Sequence, residues 1–155
     1  MRWRILADKN APMDQRELMM LQNYLQEYGQ QAEIFVNQLQ LLENGRMEAH
    51  AAIESLEEML VTEDGTVLLQ IGGGASVRAK VLEPEKVLLA IGSEVVVERS
   101  NKDAVEFLKE RIMEMEASEK KVAETLDRLR AQMNEINKRI ESGYQQAMAS
   151  GQDQG

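Results

Sequence analysis

Two long apolar runs, each holding a seven-residue period, decide most of what this chain can fold into. In the first, apolar residues recur at alternating intervals of three and four: Leu18, Leu21, Leu25, Tyr28, Ala32, Phe35, Leu39, Leu42, Arg46, Ala49, Ile53, Leu56 and Leu60. Arg46 alone departs from the pattern. The second run reads Val105, Leu108, Ile112, Met115, Glu119, Val122, Leu126, Leu129, Met133, Ile136, Ile140, Gly143 and Ala147, and only Glu119 and Gly143 break it. A single helix packed on a globule drifts off a 3.5-residue period within a few turns. Holding it for six heptads keeps one seam facing a partner helix, which is the geometry of a coiled coil.

The reading is therefore an α+β chain in which two long helices fold back as an antiparallel two-helix coiled coil around two central β-hairpins. Helix 1 is expected over residues 14–62 and helix 2 over 100–148, with 1–13 as an apolar N-terminal extension and 149–155 as a disordered tail. Pro12 stands where the first helix should begin. Ser100 followed by Asp103 is a capping-box-like start for the second, and Gly65 is a stop signal after the first.

The seam exceptions Arg46 and Glu119 belong together on this reading. Across an antiparallel pair, facing residue numbers add to a constant, and the helix lengths fit totals of 168 or 161. Either register puts Arg46 and Glu119 in adjacent layers, within reach of an interhelical ion pair that fixes register.

Between the helices the period changes to two. Residues 66–71 run to a Gly72-Gly73-Gly74 turn and return through residues 75–81; Lys86–Ile91 turn at Gly92-Ser93 and return through Val95–Glu98. β-branched runs punctuated by glycine turns and a Glu83-Pro84-Glu85 break predict two hairpins over residues 66–98. Val67, Leu69, Ile71, Val77, Val81, Val87, Leu89, Ile91, Val95 and Val97 would share one face; Leu68, Leu88 and Val96 make the other face apolar too. Two hairpins cannot make a stable core alone, and strands apolar on both faces need cover on both. These residues predict an oligomerisation body in which several chains pool their strands into one β platform.

Composition excludes most catalytic chemistry. The chain has 155 residues, no cysteine and a single histidine, His50, so thiolate and histidine metal sites and Ser/His/Asp triads lack their parts. No catalytic residue, metal or cofactor is expected. The triple glycine is followed by a strand instead of a helix N-terminus, which argues against a phosphate cradle. A net charge of -9 repels phosphate backbones, so nucleic acid is not expected as a partner. No apolar run nears the roughly 20 residues that span a bilayer, and Met1 to Leu6 is too short for a signal peptide. A cytoplasmic location, away from membranes, is the expectation.

At the helix ends far from the hairpins, apolar residues exceed what a seam can use. Met19 and Met20 lie beside Leu18 and Leu21; Trp3, Ile5, Leu6 and Met13 precede the helix; Tyr144 and Met148 close the other one. Contiguous apolar surface marks binding, and methionine adapts to varied partners. These eight residues are the candidate client-binding set.

The strand motifs are specific. Val67-Leu68-Leu69-Gln70-Ile71-Gly72, Ala75-Ser76-Val77-Arg78-Ala79-Lys80-Val81, Lys86-Val87-Leu88-Leu89-Ala90-Ile91-Gly92 and Val95-Val96-Val97-Glu98-Arg99, set between two coil helices, resemble the α class of prefoldin, also called GimC, a holdase chaperone of archaea and eukaryotes. The likeness covers about residues 14–147, the coil portions in pattern only. Two hairpins point to the α class; the β class resembles this layout with one. The resemblance implies a hexamer of two α and four β subunits, in which this chain meets prefoldin β subunits and a second copy of itself. It implies that coil tips hold unfolded polypeptides without nucleotide and pass them to a group II chaperonin. Residues 1–13 are longer and more apolar than the family's usual start. The alternative is a coiled-coil scaffold or filament-forming protein with no affinity for unfolded chains.

Overall fold

The computed structural model describes residues 13–152. Six elements follow in order: α1 (Gln15–Val61), β1 (Thr66–Gly72), β2 (Ala75–Lys80), β3 (Lys86–Gly92), β4 (Val95–Ser100) and α2 (Asn101–Gln152). They form two compact units, a hairpin unit over Leu41–Glu119 and a terminal unit made of the helix segments up to Gln40 and from Lys120.

Each helix starts on a side-chain cap. Asp14 Oδ1 accepts the Glu17 N–H at 2.7 Å, and Ser100 Oγ accepts the Asp103 N–H at 3.1 Å, which satisfies amides that the first turn leaves unpaired. The cap of α1 is thus Asp14. At the far end α2 runs on to Gln152, past the boundary at 148 that the seam predicts. Ala149 is a good helix former, but Ser150 and Gly151 are not, so propensity accounts only for the first residue past that boundary.

In the hairpin unit the helices run antiparallel around Ala49, Ile53, Val105 and Ile112, with Leu56, Leu108 and Met115 packed on them. This cluster selects the register. The 161 total pairs Ala49 with Ile112, Ile53 with Leu108 and Leu56 with Val105, all of them members. The 168 total would set Val105 against Glu63, beyond the end of α1. Gly45 approaches Met115 closely, as the 161 register also requires: a Cβ there would lie 3.0 Å from its Sδ. That register sets Leu60 against Asn101, the first residue of α2, so Leu60 has no apolar partner and is exposed despite its place in the seam.

In the terminal unit Leu21, Leu126, Leu129 and Ile136 are buried. Arg139 is buried as well, and its Nη2 donates to Glu17 Oε1 at 2.9 Å. Both residues sit one position before an a-position residue, Leu18 and Ile140, which is where charges pair across an antiparallel coil.

The hairpins are two separate two-stranded antiparallel sheets, β1-β2 and β3-β4. They share one design. The register shifts at Ile71 in one and Ile91 in the other, before the strands close at Gly72↔Ala75 and Gly92↔Val95. Each loop is two residues long, Gly73-Gly74 (φ 59° and 79°) and Ser93-Glu94 (φ 40° and 65°). Positive φ at both positions is the primed turn that matches strand twist. The expected turns at Gly72-Gly73-Gly74 and Gly92-Ser93 are each displaced, because the first glycine is a paired strand residue that closes the ladder after the shift.

Asn101 joins hairpins to coil. It is 1% exposed; its Nδ2 donates to the carbonyls of Leu56 (2.9 Å) and Pro84 (3.1 Å), and its N–H to that of Glu85 (2.8 Å). One buried side chain thereby ties α1, the loop between the hairpins and the start of α2.

Candidate functional site

Two surfaces carry apolar groups that the fold does not use. The first is on the hairpins. Where the strands approach the helices, Val67, Ala79, Val87, Leu89 and Val97 are half-buried. Toward the turns cover disappears: Leu69, Ile71, Val77, Ile91 and Val95 are exposed, although strand alternation directs them to the face expected to be covered. On the opposite faces Leu68 of the first hairpin and Leu88 of the second are each 73% exposed, and Val96 of the second is exposed as well. Burying one such side chain stabilises by ~1.5–3 kcal/mol, so a hairpin pair open on both faces gains most by meeting other strands.

The second surface is in the terminal unit. Met19, Tyr144 and Met148 are exposed, and Met20 is half-buried beside the covered Leu21. Ile34 and Val36 are exposed on the same segment of α1. Met13 differs from the others of its set: it is half-buried and packs on Gly143. The client-binding candidates Trp3, Ile5 and Leu6 lie outside the described residues.

Arg46 and Glu119, both in the hairpin unit, meet at 3.1 Å between Nε and Oε1, and both side chains are partly buried. The Glu17–Arg139 pair and Asn101 escaped the sequence reading. The first was within reach of it, since the heptad already assigns both residues flanking positions of opposite charge, and Asp14 followed by Glu17 is a capping-box signal. Asn101 left no trace, because a side chain that bonds carbonyls of a helix and of a loop, both distant in sequence, obeys no period. Among the described residues no helix is long and apolar enough to cross a membrane.

An arrangement of two long antiparallel helices with two hairpins between them has known counterparts. The family model for the prefoldin subunit matches residues 28–146, most of the chain. The chain belongs to the prefoldin family of chaperones. Its likeness to prefoldin α subunits is close: it is 70% identical to prefoldin subunit alpha of Methanoregula boonei over 87% of this chain and 88% of that one. It is 48% identical to prefoldin subunit alpha of Methanoculleus marisnigri, over 92% of this chain and 95% of that one. The same fold appears in filamentous prefoldin from Methanocaldococcus jannaschii, determined by cryo-electron microscopy, with a TM-score of 0.64 over 74% of this chain and 96% of the other at 19% identity. Prefoldin α subunits assemble with other prefoldin subunits into oligomers.

Proposed function

We propose that this chain is the α subunit of a cytoplasmic prefoldin holdase that binds unfolded polypeptides at its coil tips and delivers them to a group II chaperonin without ATP. In this reading two copies join four prefoldin β subunits, and the hairpin residues Val67, Leu68, Leu69, Ile71, Val77, Val87, Leu88, Leu89, Ile91, Val95, Val96 and Val97 build the shared platform. The observation that carries it is the exposure of Met19, Tyr144 and Met148 in the terminal unit, where no packing role consumes them. Met20 borders them, and Trp3, Ile5, Leu6 and Met13 add apolar groups on the preceding segment. Each tip contact is weak. Several tips acting together raise avidity steeply while each still releases quickly, which suits a protein that must hold a chain and let it go.

The test is suppression of aggregation. Assembled complex, free of nucleotide, is mixed with guanidine-denatured lysozyme on dilution, and light scattering is followed. Wild-type complex is expected to suppress scattering; complex lacking residues 1–13 should assemble normally and need more protein for the same effect. Equal suppression by the truncated complex would remove the extension from the client surface.

A scaffold or filament without client binding is the second reading. The open turn-ward halves of both hairpins support it, because strand faces of this kind join like copies as readily as unlike ones. A tip-bound client separates the two readings.

A further inference from the structure

Counted back from Val105, the heptad of α2 puts its next seam position at residue 101, just ahead of the apolar run. Asn101 holds that position and is 1% exposed. A seam selects an apolar side chain at such a place, and this asparagine is no stabilising substitute for one. Its Oδ1 is buried and meets no donor among the described residues, a cost that an apolar group would not carry. What the amide supplies is direction. Its Nδ2 donates to the Leu56 carbonyl at 2.9 Å and to the Pro84 carbonyl at 3.1 Å. Both bonds form together only when the loop between the hairpins has one placement on α1.

The two hairpins differ at this point. The first closes on its own ends, the Val81 N–H donating to the Gly65 carbonyl at 2.9 Å. The second begins at the Lys86↔Ser100 pair, and the Asn101 N–H extends that ladder by one bond, to the Glu85 carbonyl at 2.8 Å. The Lys86 N–H takes the Glu83 carbonyl at 3.1 Å, so three successive loop carbonyls are engaged, two of them by Asn101. Its backbone thus belongs to the second hairpin, and its side chain fastens that hairpin to the coil.

We propose that Asn101 is a positioning residue for assembly. It sets how β3-β4 leaves the coil, and with that the placement of Leu88, Ile91 and Val96, which are exposed to a neighbouring subunit. Buried within its own chain, it acts on that neighbour only through the hairpin. A polar residue at one seam position trades stability for a single arrangement in other coils; here the arrangement is hairpin against coil. The inference rests on the reading of the hairpins as a shared platform and is independent of client binding.

Asn101→Leu keeps the branched outline of the side chain and removes both donated bonds. In the full-length chain, amide hydrogen exchange across β3 and β4 should quicken about tenfold, while β1, β2 and the coil around Ile53 and Ile112 keep wild-type rates. The thermal midpoint should stay at or above wild type, because the seam gains an apolar group and loses a buried acceptor without a donor. Sedimentation velocity of the complex, reconstituted with the other subunits of the native assembly, should show association weakened about tenfold. Asn101→Asp has the same shape but turns an oxygen toward both carbonyls, and should weaken association at least as much. An asparagine with only a structural role would lose midpoint and association together. Wild-type exchange in β3 and β4 of the leucine variant would overturn the proposal, as would wild-type association. If Leu68→Ser with Leu88→Ser leaves association intact, the platform reading falls; faster exchange confined to β3 and β4 would then still establish Asn101 as the anchor of the second hairpin.

Discussion

Ser93 and Glu94 stand where the sister hairpin has two glycines, yet adopt the same left-handed conformation. That region is costly for a residue with a Cβ. Glu94→Gly is expected to stabilise the assembled protein by ~0.5–1 kcal/mol, strain relief being partly offset by the added freedom of the unfolded chain. The thermal midpoint measures it, and a lower midpoint would show that Glu94 makes a compensating contact in the assembly. A second residue-scale expectation concerns Arg46 and Glu119. Their single contact is half-shielded from water, so a double-mutant cycle with alanine should give a coupling of about 1 kcal/mol. A coupling below about 0.3 kcal/mol would leave them as separate polar tolerances in the seam and not a register device. At this scale the sequence is readable only where a residue contradicts its surroundings. Arg46 and Glu119 are visible because they interrupt apolar seams. Asn101 is not, since its partners are carbonyls drawn together only by the finished fold.

The elements follow from period. A 3.5-residue repeat dictates two seams, and alternation between glycines dictates two hairpins, because both patterns place apolar groups on one face of a regular backbone. Register needed the structure, since 168 and 161 both satisfy the heptads and the end of α1 at Val61 with the approach of Met115 to Gly45 distinguishes them. The extent of α2 and the register shifts at Ile71 and Ile91 were also beyond the pattern. A heptad period does not mark where a helix ends, and a register shift is set by how a turn must close. The helical glycines give a graded test. Gly29 has room for a methyl group, with the nearest atom, Met133 Cε, at 3.9 Å from a Cβ. Gly29→Ala should therefore stabilise by ~0.5–1 kcal/mol, read as a raised urea midpoint. Gly45→Ala should gain less, because Met115 Sδ at 3.0 Å must first give way. Equal gains at both would mean that Met115 moves freely within its layer.

For the molecule as a whole, the governing fact is the apolar strand surface that one chain leaves open. Leu68→Ser together with Leu88→Ser replaces two of the most exposed apolar groups on the hairpins. With ~1.5–3 kcal/mol per buried side chain, assembly should weaken at least tenfold, while the helical signal of the coil remains. Sedimentation velocity across a concentration series measures the shift, and unchanged assembly would place the subunit interface elsewhere. The need for partners was legible in the sequence, because strands apolar on both faces have no other physical outlet; the partners themselves were not, since an apolar face is satisfied by many kinds of strand. The most direct measurement is native mass spectrometry of the complex gently isolated from its source cells. A prefoldin α subunit is expected as a hexamer holding two copies of this chain and four of a smaller subunit. A homo-oligomer of this chain without a second subunit would contradict that assignment and favour a scaffold or filament instead.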